Sequence, residues 1–484
     1  MGMAEFLARL RASEPRSPGL EDEASWYTEH TALFISTVKW ALLGAAAGLC
    51  VGLGTRAFLW ALAWSDGTVR NLLPAGLPPY VFLPLALPVC VFLVRMFAPD
   101  ARGHGTEAVI AAVHERSGRI NWVVAPVKLL ATVVTLAFGG SVGKEGPCAQ
   151  IGASLTSLFA DLLKLSDEDR RRLVICGISA GFAAVFGTPV SGALFGIEVL
   201  YLGRIEYSVL FPSLLAGIVG HLVCGVRPPI PALREGFEGL GKTQTVFVSL
   251  LSGVCFGLAA LLLIETMRAL GKLLHRPATE RPYLVAAGGG AVLALLYTFA
   301  GSQYAGLGTP TIEASLAGTA RVVFAAFLLK ILATSITLES GGSGGIVTPL
   351  FFIGATTGTA LAHALHLPQG LLSAFGLVAV VAAAANTPIA AAVMGIEILP
   401  GTEGVYAALA AGTAFLIVGH RSVYASQKIG LSKSAGLDVT LGGAMGDVGA
   451  PRIRKGSLTD RVHGRVRRRR LERPTPPEPG EGQE

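Results

Sequence analysis

Charge is scarce in this chain. Asp, Glu, Lys and Arg make up 15% of its 484 residues, where a soluble domain carries roughly 25%. A water-facing surface cannot be built on that ration, so a soluble globular protein is excluded as the first expectation. The N-terminus lacks a basic-then-apolar leader: residues 1–31 are of mixed charge, and no cleavable signal peptide is expected. The six cysteines (Cys50, Cys90, Cys148, Cys176, Cys224, Cys255) fall mostly inside apolar runs at no metal-ligand spacing. They read as buried thiols, with no metal and no role assigned to any of them, Cys148 beside the first motif included. The glycine-rich run at 344–345 lacks the Gly-Lys-Ser/Thr of a phosphate loop, and no Ser/His pair or cofactor motif is read beside the apolar segments, so neither an enzyme nor a cofactor is expected.

Apolar sequence is abundant instead. Hydrophobic residues make up 52% of the chain, and the mean hydropathy is +0.58. Apolar stretches recur at 33–54, 78–97, 173–200, 245–264, 283–300, 321–338 and 371–399. The Ala/Leu/Gly-rich runs predict helices, so the expected class is an all-α polytopic membrane protein. Several stretches are short or broken by Gly and Pro, which membranes tolerate only where protein or an aqueous cavity satisfies the freed backbone. The formal charge of +7 gathers late, at Arg452, Arg454, Lys455, Arg461, Arg465 and Arg467 to Arg470. Beside membrane spans such a tail reads as a cytoplasmic anchor to anionic lipid rather than a nucleic-acid arm.

The apolar segments are duplicated. Residues 128–147 (KLLATVVTLAFGGSVGKEGP) align with residues 330–349 (KILATSITLESGGSGGIVTP), Lys128 on Lys330 and Pro147 on Pro349. A second pair aligns Thr188-Pro189, Gly196-Ile197-Glu198 and Gly220-His221 with Thr387-Pro388, Gly395-Ile396-Glu397 and Gly419-His420. The predicted organisation is an N-terminal cytoplasmic segment (1–31), a first membrane repeat (32–225), a connecting loop (226–244), a second repeat (245–430) and a basic, partly disordered tail (431–484). Interrupted helices at corresponding places in two halves point to a transport site near the bilayer midplane.

The break of the first motif holds Gly143-Lys144-Glu145-Gly146-Pro147. An ionisable group at membrane depth is costly and is a functional candidate by default. Pro147 suits the first turn of a restarting helix. The unpaired N–H groups and partial positive charge of that helix start bind anions. Glu145 is therefore expected to place its carboxylate where an anion would sit and to leave when protonated; a plain helix-capping role is the alternative. The second motif, Gly344-Gly345-Ile346-Val347-Thr348-Pro349, repeats the backbone chemistry without a carboxylate, and its Ile346 and Val347 amides suit a held anion.

GKEGP followed by CAQIG, then GGIVTP, FGTPVSGALFGIEVL and the late tyrosine in GHRSVYAS together resemble the CLC chloride channels and chloride/proton exchangers. The resemblance implies two inverted-topology repeats of broken, tilted helices, a homodimer, and an anion pathway in each subunit. It puts Glu145 on the gating glutamate, Ile346 and Val347 on the anion-coordinating amides, and Tyr424 on the tyrosine that closes the inner side. Gly143, Lys144, Gly146, Pro147, Gly345 and Pro349 are its supporting motif positions.

Two positions depart from the family pattern. The usual Gly-Ser-Gly-Ile-Pro reads Gly103-His104-Gly105-Thr106-Glu107. His104 either donates to the anion or points away while the amides of the loop, Gly105 among them, bind. Val199 stands where exchangers usually carry an internal proton-transfer glutamate, which tilts the reading toward a channel. Glu198 and Glu397 are expected to be structural, and Lys128 and Lys330 either to add positive potential or to neutralise those acids. The expected function is CLC-type chloride or small-anion passage gated by a glutamate. A proton-coupled antiporter of the same family is the alternative, and a cation-coupled secondary transporter the remote one. Expected partners are the anion, protons, lipid and a second copy, without nucleic acid. The expected location is a bacterial inner membrane with both termini cytoplasmic.

Overall fold

The computed structural model describes residues 26–74, 76–226, 241–399 and 401–462. Sixteen α-helices and four two-residue strands are found among them. The first half holds α1 (Trp26–Leu72), α2 (Leu83–Phe97), α3 (Thr106–Glu115), α4 (Val124–Ala137), α5 (Glu145–Leu162), α6 (Asp167–Phe186), α7 (Pro189–Glu198) and α8 (Leu210–Cys224). The second holds α9 (Lys242–Glu280), α10 (Pro282–Ala300), α11 (Thr309–Leu316), α12 (Ala326–Glu339), α13 (Val347–Leu365), α14 (Gln369–Ala385), α15 (Pro388–Ile398) and α16 (Glu403–Ile417). The expected duplication is thus eight helices against eight, in the same order.

Each half opens on a long helix that packs on the last helix of that half. In α1 the small residues Gly44, Gly48 and Gly52 face the backbone of Pro212, Ala216 and Gly220 on α8. In α9, Gly253 and Gly257 face Ala410 and Ala414 on α16. Small residues four apart let apolar helices approach closely where lipid offers no hydrophobic drive for association. α1 already includes residues 26–31, ahead of the expected boundary at residue 32, because nothing in residues 26–31 breaks a helix. Residues 227–240 and the Arg467 to Arg470 run lie outside the described residues, so those parts of the loop and tail expectations do too.

The interior is formed by helices that are apolar on every side. All residues of α14 from Leu371 to Ala385 are buried, as are those of α6 from Leu173 to Phe186. A helix buried all round needs no amphipathic stripe. α6 and α14 end alike, at Gly187 and Asn386 in the left-handed region, and each chain restarts at once through Thr-Pro. This C-cap followed by proline at N1 explains the second sequence match. Among the described residues, five helices are long and apolar enough to cross a membrane: those within Thr28–Leu72, Pro79–Phe97, Tyr207–Cys224, Lys242–Glu280 and Pro282–Ala300. Shorter apolar helices of 10–17 residues, again among the described residues, lie within Val124–Ala137, Gln369–Ala385, Pro388–Ile398 and Glu403–Ile417.

The halves are joined by reciprocal contacts that describe a two-fold relation. Gly143 and Gly345 form an antiparallel bridge, each N–H donating to the other's carbonyl at 2.6 Å. The Ser141 N–H donates to Thr337 Oγ1 at 3.1 Å, and the Ser343 N–H to Thr135 Oγ1 at 3.0 Å. Glu198 accepts from the Ile389 and Ala390 amides at the start of α15, and Glu397 from the Val190 and Ser191 amides at the start of α7. After α16, strand β2 (Lys428–Ile429) pairs in parallel with β1 (Tyr201–Leu202) of the first half. Strands β3 (Leu437–Asp438) and β4 (Arg452–Ile453) pair with each other, so the tail is ordered at least this far.

Candidate functional site

The two motifs break as expected. α4 stops at Ala137 and α5 starts at Glu145; α12 stops at Glu339 and α13 starts at Val347. Pro147 and Pro349 each sit third in their helix, where a missing N–H costs nothing. Lys144 and Ile346 are the N-cap residues. The Gly143–Gly345 bridge aims the two helix starts at one another. The loop before α3 joins them: Gly105 is the N-cap of α3, and a Cβ on Gly146 would come 2.2 Å from the His104 carbonyl oxygen. Three helix N-termini therefore meet, and their unpaired N–H groups and dipoles favour a negative charge between them.

Glu145 supplies one. Its side chain is 2% exposed. One carboxylate oxygen accepts from the Thr348 N–H at 3.1 Å, and the Thr348 hydroxyl lies 2.6 Å from both oxygens. The carboxylate thus occupies the start of α13, in the other half, and not that of its own helix α5. Geometry dictates the exchange: Glu145 is the first residue of α5, and the bridge places the first turn of α13 directly across from it. Gly143 is obligatory here, because a Cβ would lie 2.5 Å from Glu145 Oε2 and 2.9 Å from the Thr348 nitrogen. Ile346 and Val347, each 1% exposed, contribute the N-cap and N1 amides of the same turn.

Tyr424 lies in the segment after α16, held by the Val423 N–H on the Ala384 carbonyl and by the Ser426 N–H on Glu107. It is completely buried. The His104 ring is half-buried and faces the Tyr424 ring at a centroid distance of 5.5 Å. Thr106, the first residue of α3, is completely buried as well. Yet the Tyr424 hydroxyl, the Thr106 hydroxyl and His104 Nδ1 are buried with no partner in hydrogen-bond geometry among the described residues. Buried polar atoms are normally paired. Three orphans together, each able to donate, fit a small anion. A cavity of about 470 Å³ is lined by His104, with Arg268 and Lys272 of α9 on its wall.

The remaining expectations resolve by position. Lys128 donates to the carbonyls of Ala101 and Gly103 at 3.1 and 2.5 Å, and Lys330 to those of Tyr304 and Gly306 at 3.0 and 2.8 Å. Neither lysine neutralises Glu198 or Glu397; each clamps a loop that starts a helix. Those acids cap helices across the two halves, in keeping with a structural role. Val199 is buried, and its carbonyl accepts from the Gln427 amide at 2.9 Å.

Sequence reasoning missed Thr348, although it stood inside the matched motif. It also missed that Gly306-Leu307-Gly308-Thr309 repeats Gly103-His104-Gly105-Thr106, which the two lysine clamps make plain. Glu107 was quoted without a role, and its being ionisable at the start of an apolar helix was the available signal.

A family profile described as Voltage gated chloride channel matches residues 86–419, more than half of the chain. A chloride/fluoride channel protein from Pseudomonas syringae pv. tomato is 37% identical over 349 residues, spanning 68% of this chain and 74% of that protein. The crystal structure of a CLC-type fluoride/proton antiporter superposes with a TM-score of 0.74 at 26% identity, over 84% of this chain and all of that one. A slow cyanobacterial Cl−/H+ antiporter shares the fold, with a TM-score of 0.67 at 22% identity over 78% of this chain and 94% of that one. An all-α membrane architecture, paired broken helices and a family match over residues 86–419 converge on one assignment: the chain belongs to the voltage-gated chloride channel family, the CLC family of anion-transporting integral membrane proteins.

Proposed function

We propose that this protein moves a small halide anion across a bacterial inner membrane, with Glu145 as the gate and protons as the exchanged partner. The observation that carries the reading is the Glu145 carboxylate seated on the Thr348 amide and hydroxyl. A charged glutamate and an anion compete for that helix start, and protonation removes the glutamate from the contest. The Ile346 and Val347 amides and the Tyr424 hydroxyl hold the central anion, while His104 and the Gly105 amide line its path on the cavity side. Several weak neutral donors suit transport, because the ion must leave as well as enter.

Exchange is favoured over free conduction by two features. Glu145 and Tyr424 are both buried, as two gates closed over an occluded anion would be. The antiporter that superposes over its whole length couples fluoride to protons. A passive channel is the second reading, supported by Val199 and by the name of the Pseudomonas relative. The apolar faces of α7, α8, α15 and α16, with Phe211, Leu222, Ile389 and Ile396 exposed, suit a second copy in a homodimer. Both termini are assigned to the cytoplasm.

The test is chloride and fluoride efflux from proteoliposomes with external pH recorded at the same time. Exchange predicts uphill-capable proton uptake in fixed ratio to anion release, and Glu145→Gln predicts anion flux without protons. Efflux that needs only a potassium shunt, with no proton movement, leaves the channel reading. An unchanged pH response in Glu145→Gln rejects the gate.

A further inference from the structure

The two repeats differ at one helix end. α6 stops at Gly187 and α14 at the corresponding Asn386, both in the left-handed region. Glycine is the usual residue at such an end and asparagine the less common one, so the side chain of Asn386 calls for a use. It is buried. Its Nδ2 donates to the Arg421 carbonyl and to Gln427 Oε1, both at 2.9 Å. Those two residues bracket the segment that carries Tyr424, so one amide holds both ends of it.

Gln427 is completely buried and extends the chain of bonds. Its Nε2 donates to the Val199 carbonyl at 2.9 Å and to the Ala385 carbonyl at 3.0 Å, and its backbone N–H to the Tyr424 carbonyl at 3.2 Å. The Val423 N–H donates to the Ala384 carbonyl at 3.0 Å. Carbonyls at the end of α14, orphans by helix geometry, are thus satisfied by residues on either side of Tyr424. On the far side of Asn386 stands Lys433, in the tail. Its ammonium donates to Asn386 Oδ1 at 2.7 Å and to the Phe415 carbonyl at 2.6 Å, and lies 3.7 Å from the centre of the Phe415 ring. An ammonium only donates and a carbonyl only accepts. With Lys433 at one end and the Arg421, Val199 and Ala385 carbonyls at the other, the two side-chain amides have one orientation that pairs every N–H and both oxygens. A fully satisfied buried network of this kind rigidifies what it holds.

We infer that Asn386, Gln427 and Lys433 are positioning residues for Tyr424: they fix the turn from which its hydroxyl meets the anion, and through Lys433 the tail takes part in setting halide affinity. The inference rests on the reading of Tyr424 as an anion ligand given above. The hydroxyl itself meets no partner in hydrogen-bond geometry among the described residues. No bond at its tip holds it, so its place follows from ring packing and from the backbone that bears it.

The experiment is isothermal titration of the full-length protein with fluoride and with chloride. Asn386→Gly and Lys433→Met are each compared in the wild-type and the Tyr424→Phe background. Glycine keeps the left-handed turn, as Gly187 does in the first repeat, and deletes the clamp. Methionine keeps an apolar stem beside Phe415 and deletes the donor. The expected result is a halide affinity about tenfold lower in Asn386→Gly, the low end of what losing the hydroxyl costs, and about threefold lower in Lys433→Met. Both losses should vanish, to within about twofold, once Tyr424 is phenylalanine. Wild-type affinity in either single variant overturns the proposal. So does a loss of equal size in both backgrounds, which marks a general loosening of the fold and not an action through the hydroxyl. If Asn386→Gly yields no folded protein, Lys433→Met decides by the same outcomes. The reading of Tyr424 is judged separately, on Tyr424→Phe alone: an unchanged titration there removes that reading, and the proposal with it, before any positioning variant is compared.

Discussion

The strength of the Glu145 gate is measurable from the Thr348 side. Thr348 gives the carboxylate two donors, an N–H at 3.1 Å and a hydroxyl at 2.6 Å. Thr348→Val removes the hydroxyl but keeps the amide, the branch and nearly the volume. A hydrogen bond to a charged group contributes about 1.5–3 kcal/mol net. At 1.4 kcal/mol per factor of ten, the docked carboxylate loses roughly 10- to 150-fold in its competition with an anion for α13. The apparent halide affinity should rise by up to that factor. The assay is isothermal titration of the purified protein with halide, run as a double-mutant cycle with Glu145→Gln. In the Glu145→Gln background no charged competitor remains, so Thr348→Val should leave affinity within about threefold or weaken it. An equal gain in both backgrounds would show that the hydroxyl acts on the anion and not on Glu145. That result refutes the competition argument.

Tyr424→Phe deletes one orphaned donor without emptying the buried site, and should weaken halide binding roughly 10- to 100-fold, the cost of one hydrogen bond to an anion; unchanged titration rejects Tyr424 as a ligand. His104→Ser should alter the chloride-to-fluoride preference or its pH dependence between about pH 5 and 8, the range that brackets the ordinary imidazole pKa of about 6.5. Identical selectivity across that range means the ring faces Tyr424 for packing alone. Lys128→Met strands the Ala101 and Gly103 carbonyls in the membrane interior, and two lost hydrogen bonds at about 1–2 kcal/mol each predict a clearly lower melting temperature in detergent. Lys330→Met, its counterpart across the two-fold, should cost about as much, and a tolerant Lys128 would show that the loop before α3 needs no clamp.

How much of this was legible in the sequence depends on whether the information was carried by one segment or by two. The breaks at Gly139–Lys144 and Ser340–Ile346 were readable because glycine, serine and proline punctuate them locally. So were the Thr-Pro restarts after α6 and α14, and the repeat that relates them. What escaped was pairing across the halves. Glu145 and Thr348 are 203 positions apart, and no local rule joins them; only the Gly143–Gly345 bridge turns the first residue of α5 onto the second of α13. The lysines show the same limit from the other side. Symmetry marked Lys128 and Lys330 as a pair, and charge alone suggested the acids Glu198 and Glu397 as their partners. In the fold, each acid finds two helix-start amides and each lysine two carbonyls. Backbone groups freed by broken helices thus absorb the buried charges of the scaffold. That leaves Glu145, whose partners are the amide and hydroxyl of the single residue Thr348, as the carboxylate free enough to change partners. The distinction between a scaffold acid and a gating acid is therefore the kind and rigidity of the donors it holds, two fixed helix-start amides against an amide and a rotatable hydroxyl, a property of three-dimensional pairing that the identical Gly-Ile-Glu context of Glu198 and Glu397 does not decide.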